Sequence, residues 1–213
     1  SIDSVGRGPA ELRGRRAGPL TMRAEQRIHR RGGGTRAVRT GARLSFKFIP
    51  RQGRYWKFDD AARFELWRLD ENGNRERLVR TGPKVAYCLR DLRRTRNLVG
   101  SPRRQVYPAC SQDRAERAVT LGTSVGWSDI YPPTYHEQWI DVSRLRGCFA
   151  YVHIADPGNG IKELDEQNNI SSITVQLPWR GARSLGCAGG PDTLGSGSGG
   201  GYSGYGLTPR LAE

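Results

Sequence analysis

ARFELWRLDENGNRERLVRT, residues 62–81, is the stretch on which the fold turns. Over residues 62–69 apolar and polar side chains alternate, the period of two expected of a strand with one covered face. The run then meets Asp70-Glu71-Asn72-Gly73, and Asn-Gly is the strongest short signal for a hairpin turn. Residues 77–81 read as the returning strand. Outward from this hairpin the same pattern recurs in RLSFKFI (43–49), KVAYCL (84–89), QWIDV (138–142), CFAYVHI (148–154) and SITVQL (172–177). Short strands punctuated by Gly, Pro and Asn predict a mainly β protein, an antiparallel β-sandwich with long irregular loops. Helix is expected for no more than a turn or two at 113–118.

Residues 1–41, rich in arginine and glycine, are expected to wrap the sandwich as irregular chain, within one domain over 1–180. Residues 181–213 contain GSGSGGGYSGYG, whose composition cannot sustain a core, and are expected to form a flexible Gly/Ser-rich tail.

The 213 residues carry a formal charge of +14, and Lys47, Lys57, Lys84 and Lys162 are the only lysines. Such a balance attracts polyanions: nucleic acid, acidic polysaccharide or an anionic cell surface. The arginines are scattered from Arg7 to Arg210, which a plain solvated basic surface also explains. No apolar run approaches the roughly 18 residues of a membrane span, and no signal-peptide pattern opens the sequence. Cys88, Cys110, Cys148 and Cys187 are too widely spaced for a C-x-x-C zinc or redox motif. One or two disulfides, or free thiols, are all compatible with them.

Chemistry-bearing motifs are few. His29, His136 and His153 stand isolated, without the spacing of a local metal site. No nucleophile elbow, P-loop or dinucleotide fingerprint occurs. IKELDEQNN (161–169) sets Glu163, Asp165, Asn168 and Asn169 within seven residues. Hard oxygen donors at that density suit calcium, although Asp and Asn also favour an ordinary polar turn. Asn169-Ile170-Ser171 matches the glycosylation sequon, a use that would compete with a ligand role for Asn169.

The order of several blocks adds a further reading. FDDAARFELWRLDENGNRERLVRTGPKVAYCLRD (58–91), YPACSQD (107–113), GWSDIYPPTYHEQWIDVSRLRG (126–147) and IKELDEQNNISS (161–172) together resemble the lysyl oxidase catalytic domain, notably its bacterial relatives. The resemblance covers about residues 3–177. It implies a secreted copper amine oxidase (protein-lysine 6-oxidase) that converts peptidyl lysine to aldehyde, using a lysyl tyrosylquinone cofactor made from its own lysine and tyrosine. Lys84, four residues before the cysteine of Cys88-Leu89-Arg90-Asp91, and Tyr131, ahead of Gln138-Trp139-Ile140-Asp141, fall at the two precursor positions. The resemblance further implies a calcium ion held by Asp3, Glu163, Asp165, Asn168 and Asn169, and a disulfide between Cys88 and Cys110. Cys148 and Cys187 match nothing in it, leaving them paired with each other or free.

One block departs. The family's copper ligands are three alternating histidines, H-x-H-x-H, with an aromatic residue just before the last. Side chains two apart on an extended segment face the same way and so converge on one metal. In RQGRYWKFDD (51–60), aligned on Trp56, these positions hold Gly53, Tyr55 and Lys57. Glycine offers no ligand, tyrosine is a poor substitute, and lysine is a cation at neutral pH. The expectation is therefore a secreted, catalytically inactive lysyl oxidase-like domain. It would act as a binding or structural module toward an extracellular or cell-surface protein or an acidic polymer, with calcium retained. The alternative is an active oxidase with an unconventional metal site. Nucleic-acid binding, with no supporting signature beyond charge, ranks third.

Overall fold

The computed structural model describes residues 1–83, 85–179 and 187. Among them strands predominate and no α-helix occurs, so the fold is mainly β and antiparallel as the alternating segments predict. The strands are β1 (Ile2–Asp3), β2 (Ala10–Gly18), β3 (Thr21–His29), β4 (Thr35–Ile49), β5 (Gly53–Leu69) and β6 (Arg75–Thr81). They continue with β7 (Val85–Tyr87), β8 (Arg93–Arg94), β9 (Ala118–Thr123), β10 (Trp127–Asp129), β11 (Gly147–Ala155) and β12 (Ile170–Leu177). The described residues divide into two compact units: residues 1–61 with 86–131 and 156–166, and residues 62–83 and 85 with 132–155, 167–179 and 187.

The first unit is built on a meander in which β2, β3, β4 and the start of β5 pair in sequence order, with β9 antiparallel on the far side of β2. A smaller sheet joins β1, β10 and β8. Alternation puts Leu12, Met22, Ala24, Leu44, Phe46, Trp56 and Phe58 inside. Phe46 and Trp56 face each other across β4 and β5 with ring centroids 5.3 Å apart. Arg16 lies over the indole of Trp56, 4.9 Å from its centroid, and its guanidinium donates to the carbonyls of Arg114 and Glu116.

The expectation of irregular chain over residues 1–41 is overturned, since β2, β3 and the first part of β4 occupy most of it. The inward positions there are small or isolated (Leu12, Gly14, Met22, Ala24), and arginines fill the outward ones. A period of two is present, but its apolar half is faint. Gly14 is small because a Cβ would strike Leu44 and Met22.

In the second unit, β11 lies between the later half of β5 and β12, antiparallel to both, and β6 returns along β5. The hairpin forms where residues 62–81 predict it. Asp70 Oδ1 accepts the backbone N–H groups of Asn72 and Asn74 at 2.9 and 2.8 Å, and Gly73 adopts φ +83°. These bonds, with Asn74 foremost, hold the Asp70 carboxyl below its usual pKa. Leu66, Phe149 and Leu177 pack on one face of the sheet, while Leu69, Ala150 and Val152 pack on the other. Cys148 is joined to Cys187, which settles the pairing the sequence left open.

Residues 138–142, expected as a strand, are not one. They leave a 3-10 turn (His136–Gln138) and continue as irregular chain. The paired prolines ahead of them divert the segment from a ladder. The Trp139 indole donates to the Pro133 carbonyl at 2.7 Å, and the ring remains 55% exposed. The expected tail over 181–213 lies outside the described residues, Cys187 excepted.

Candidate functional site

The first unit gathers the residues that the copper-site comparison singles out. Gly53 opens β5 at φ +108°, a backbone conformation that residues bearing a Cβ rarely adopt. The glycine is therefore conformationally required, and an imidazole at that place would strain the chain. Tyr55 turns its hydroxyl to the carbonyl of Gln52 at 2.6 Å. Lys57 is 3% exposed, and its Nζ lies 6.0 Å from the ring centroid of Tyr131. A buried lysine of this kind needs compensation, and the geometry supplies an aromatic face with an acid nearby.

That acid is Asp129, at the end of β10 and fully buried. Burial pushes its pKa from 3.8 to about 8, although Arg90, the Tyr131 hydroxyl and Lys57 all act to lower it. Tyr131 follows two residues later. Its ring stacks on Tyr87 at 4.0 Å, and its hydroxyl accepts the Cys88 backbone N–H at 3.0 Å. Cys88 is bonded to Cys110, so the disulfide that the resemblance implies stands beside the tyrosine.

Asp91, the last residue of Cys88-Leu89-Arg90-Asp91, organises the surrounding loops. It is fully buried. Its carboxylate accepts the backbone N–H groups of Val106 and Tyr107 and both the N–H and hydroxyl of Ser124. One side chain thus ties the segment after β7 to the segment before Cys110 and to the end of β9. These donors replace the water shell that burial takes from the side chain.

The sequence reading named Lys57 and Tyr131 but missed Asp129 and Asp91. Asp91 was visible as part of a quoted block, without a role. Asp129 ends LGTSVGWSD (121–129), every residue of which is buried. Its three Ser or Thr and two Gly disguise the run as loop. Lys84 lies outside the described residues, so its relation to Tyr131 is not part of the described geometry.

The residues present do not fit a copper ion of the H-x-H-x-H kind. None of Gly53, Tyr55 and Lys57 supplies an imidazole, and the described histidine side chains are engaged elsewhere. His29 meets Glu11 Oε2 at 2.7 Å, an oxygen that also accepts the Tyr107 hydroxyl at 2.6 Å. His153 stacks on Phe64 at 4.7 Å. Among the described residues no three His, Cys, Asp or Glu side chains are grouped to hold a metal. Of the residues that the resemblance assigns to calcium, Asp3 lies in β1 opposite Ser128. Glu163 and Asp165 are exposed on the loop before a 3-10 turn (Glu166–Asn169) that ends in Asn168 and Asn169.

Comparison with known proteins accords with this reading at the level of the family. No curated protein matches the chain, but the family model for lysyl oxidase matches residues 20–187. The chain belongs to the lysyl oxidase family.

Proposed function

We propose that this domain is a catalytically inactive lysyl oxidase-like module of a secreted protein, with Lys57 standing as a fixed cation where active relatives place their metal. The observation that carries the reading is the burial of Lys57 over Tyr131, with Asp129 as the nearby acid. A lysine that is buried there and cationic occupies the space and supplies the positive charge, but donates no lone pair. Gly53 and Tyr55 offer no replacement ligands. Without copper to drive the tyrosine to a quinone, Tyr131 stays a packed, hydrogen-bonded tyrosine and Lys84 stays a lysine.

The two disulfides fit an oxidising compartment, which supports placing the module outside the cell. Among the described residues no helix is long and apolar enough to cross a membrane. The module is read as binding an extracellular or cell-surface protein or an acidic polymer. A calcium ion belongs to the proposal as well. Glu163, Asp165, Asn168 and Asn169, with Asp3, each carry side-chain oxygen, the donor type that hard cations select.

A second reading is that of an active protein-lysine 6-oxidase, with its quinone built from Lys84 and Tyr131 and an unconventional metal site. One observation favours it: Tyr131 is retained beside an aspartate whose pKa of about 8 suits proton transfer. The two are separated by producing the protein with copper, measuring bound metal, and assaying peroxide release on a lysine-containing peptide. The inactive module binds copper far below one ion per chain and releases no amine-dependent peroxide. Stoichiometric copper with amine-dependent peroxide would establish the oxidase.

A further inference from the structure

The outward face of the meander carries an uncompensated row of arginines. Arg15 of β2 stands directly opposite Arg23 of β3, and Arg23 stands directly opposite Arg43 of β4. All three are exposed. Neighbouring strands lie about 4.8 Å apart, so the three stems line up within roughly 10 Å across the sheet. The adjoining row shows how the same sheet balances charge elsewhere. There Arg13 faces Glu25 and Glu25 faces Arg39, with Arg39 and Glu25 paired at 3.9 Å.

No such acid serves the Arg15–Arg23–Arg43 row. Among the described residues no ion pair involves any of the three. Asp59 of β5, which bonds Ser45 of β4, is engaged by that hydroxyl and by Lys47 at 3.1 Å. Like charges set opposite one another in a sheet are destabilising. The row therefore works against the fold that holds it, and an anionic ligand would remove the conflict.

We propose that this face binds an anionic polysaccharide whose carboxylate or sulfate groups bridge the three guanidinium groups. The planar fork of arginine matches such oxyanions with two hydrogen bonds each. The outward face of the sheet is an exposed surface that a flexible polymer can lie across. Nucleic acid fits less well, because β2 and β3 contain no Phe, Tyr or Trp on which a base could stack. The disulfides also fit an oxidising exterior, where acidic polysaccharide is the accessible polyanion. This site deepens the reading of an acidic polymer as partner and rests on it for the partner's class, but not on the module's inactivity, since neither Lys57 nor Tyr131 takes part.

The test uses the full chain with polygalacturonate and dextran sulfate as probes and a single-stranded DNA oligomer as comparison, at physiological salt. A triple variant, Arg15→Ser with Arg23→Ser and Arg43→Ser, is set against a control of equal charge, Arg7→Ser with Arg103→Ser and Arg104→Ser. All six arginines are exposed. Because charge-assisted hydrogen bonds are lost only in the first, its affinity for at least one polysaccharide should fall about tenfold or more. The control should fall much less. Both variants should unfold at or above the temperature of the unmodified chain, which separates lost binding from lost folding. Equal losses in the two triples, no binding to either polysaccharide, or tighter binding of the DNA overturns the proposal.

Discussion

At the residue scale Lys57, Asp129 and Tyr131 act on one another. Asp129 is buried so completely that its neutral form is favoured, despite the nearby cations Lys57 and Arg90. The consequence for stability has a definite sign. With the carboxyl titrating at 3.8 when unfolded and about 8 when folded, the folded state holds the extra proton between those values. The stability that this proton contributes is complete below 3.8 and lost as pH rises through about 8. Asp129→Asn keeps the shape of the side chain and removes the titration. Its unfolding temperature should therefore fall less than that of the unmodified protein as pH rises across this window. Identical pH profiles would show that Asp129 does not titrate as described. A smaller part of the slope, nearer pH 6, belongs to Asp156, which burial raises to about 6 although it accepts the N–H groups of Gly160 and Ile161.

At the element scale the meander contains two adjacent rows, one of like charges and one of alternating charges. Replacing the central member of the like-charged row by a strand former, Arg23→Thr, should raise unfolding free energy by about 0.2–1 kcal/mol, as expected for relief of opposed charges. Glu25→Gln in the balanced row should lower it. Chemical denaturation of both variants checks the pair, and the same sign in both would contradict the register argument. The Cys88–Cys110 disulfide encloses a separation of 22 residues. Replacing both cysteines with serine should cost about 3 kcal/mol, mainly through a freer unfolded chain. It should also loosen Tyr131, whose hydroxyl is held by the Cys88 N–H. Most strands were legible in the sequence where large apolar residues alternate, as in residues 62–69. The first strands were not, because small Gly14 and Ala24 fill inward positions, and at Gly14 even a Cβ would strike Leu44 and Met22. Residues 138–142 misled for the converse reason: their apolar residues alternate without a partner strand to use them.

At the scale of the whole molecule, the family was legible because its blocks keep their order even where single residues change. The departure is a statement of the sequence alone: Gly53, Tyr55 and Lys57 stand where the resemblance expects three imidazoles. What the sequence could not show was how those positions are used. That Gly53 is required by a positive φ, that Lys57 is buried, and that Asp129 shares its surroundings are properties of packing between distant segments. Calcium offers a test at this scale. If Glu163, Asp165, Asn168 and Asn169 with Asp3 hold an ion, a chelator specific for calcium should lower the unfolding temperature by several degrees, and added calcium should restore it. An unchanged unfolding temperature would leave that loop as a turn.

The central claim is that this lysyl oxidase-family domain makes no quinone. Peptide mapping with intact-mass measurement, on protein produced with saturating copper, tests it most directly. The account predicts that Lys84 and Tyr131 appear in separate, unmodified peptides and that the mass equals that of the sequence with two disulfides. A crosslinked peptide joining Lys84 to Tyr131 would contradict it.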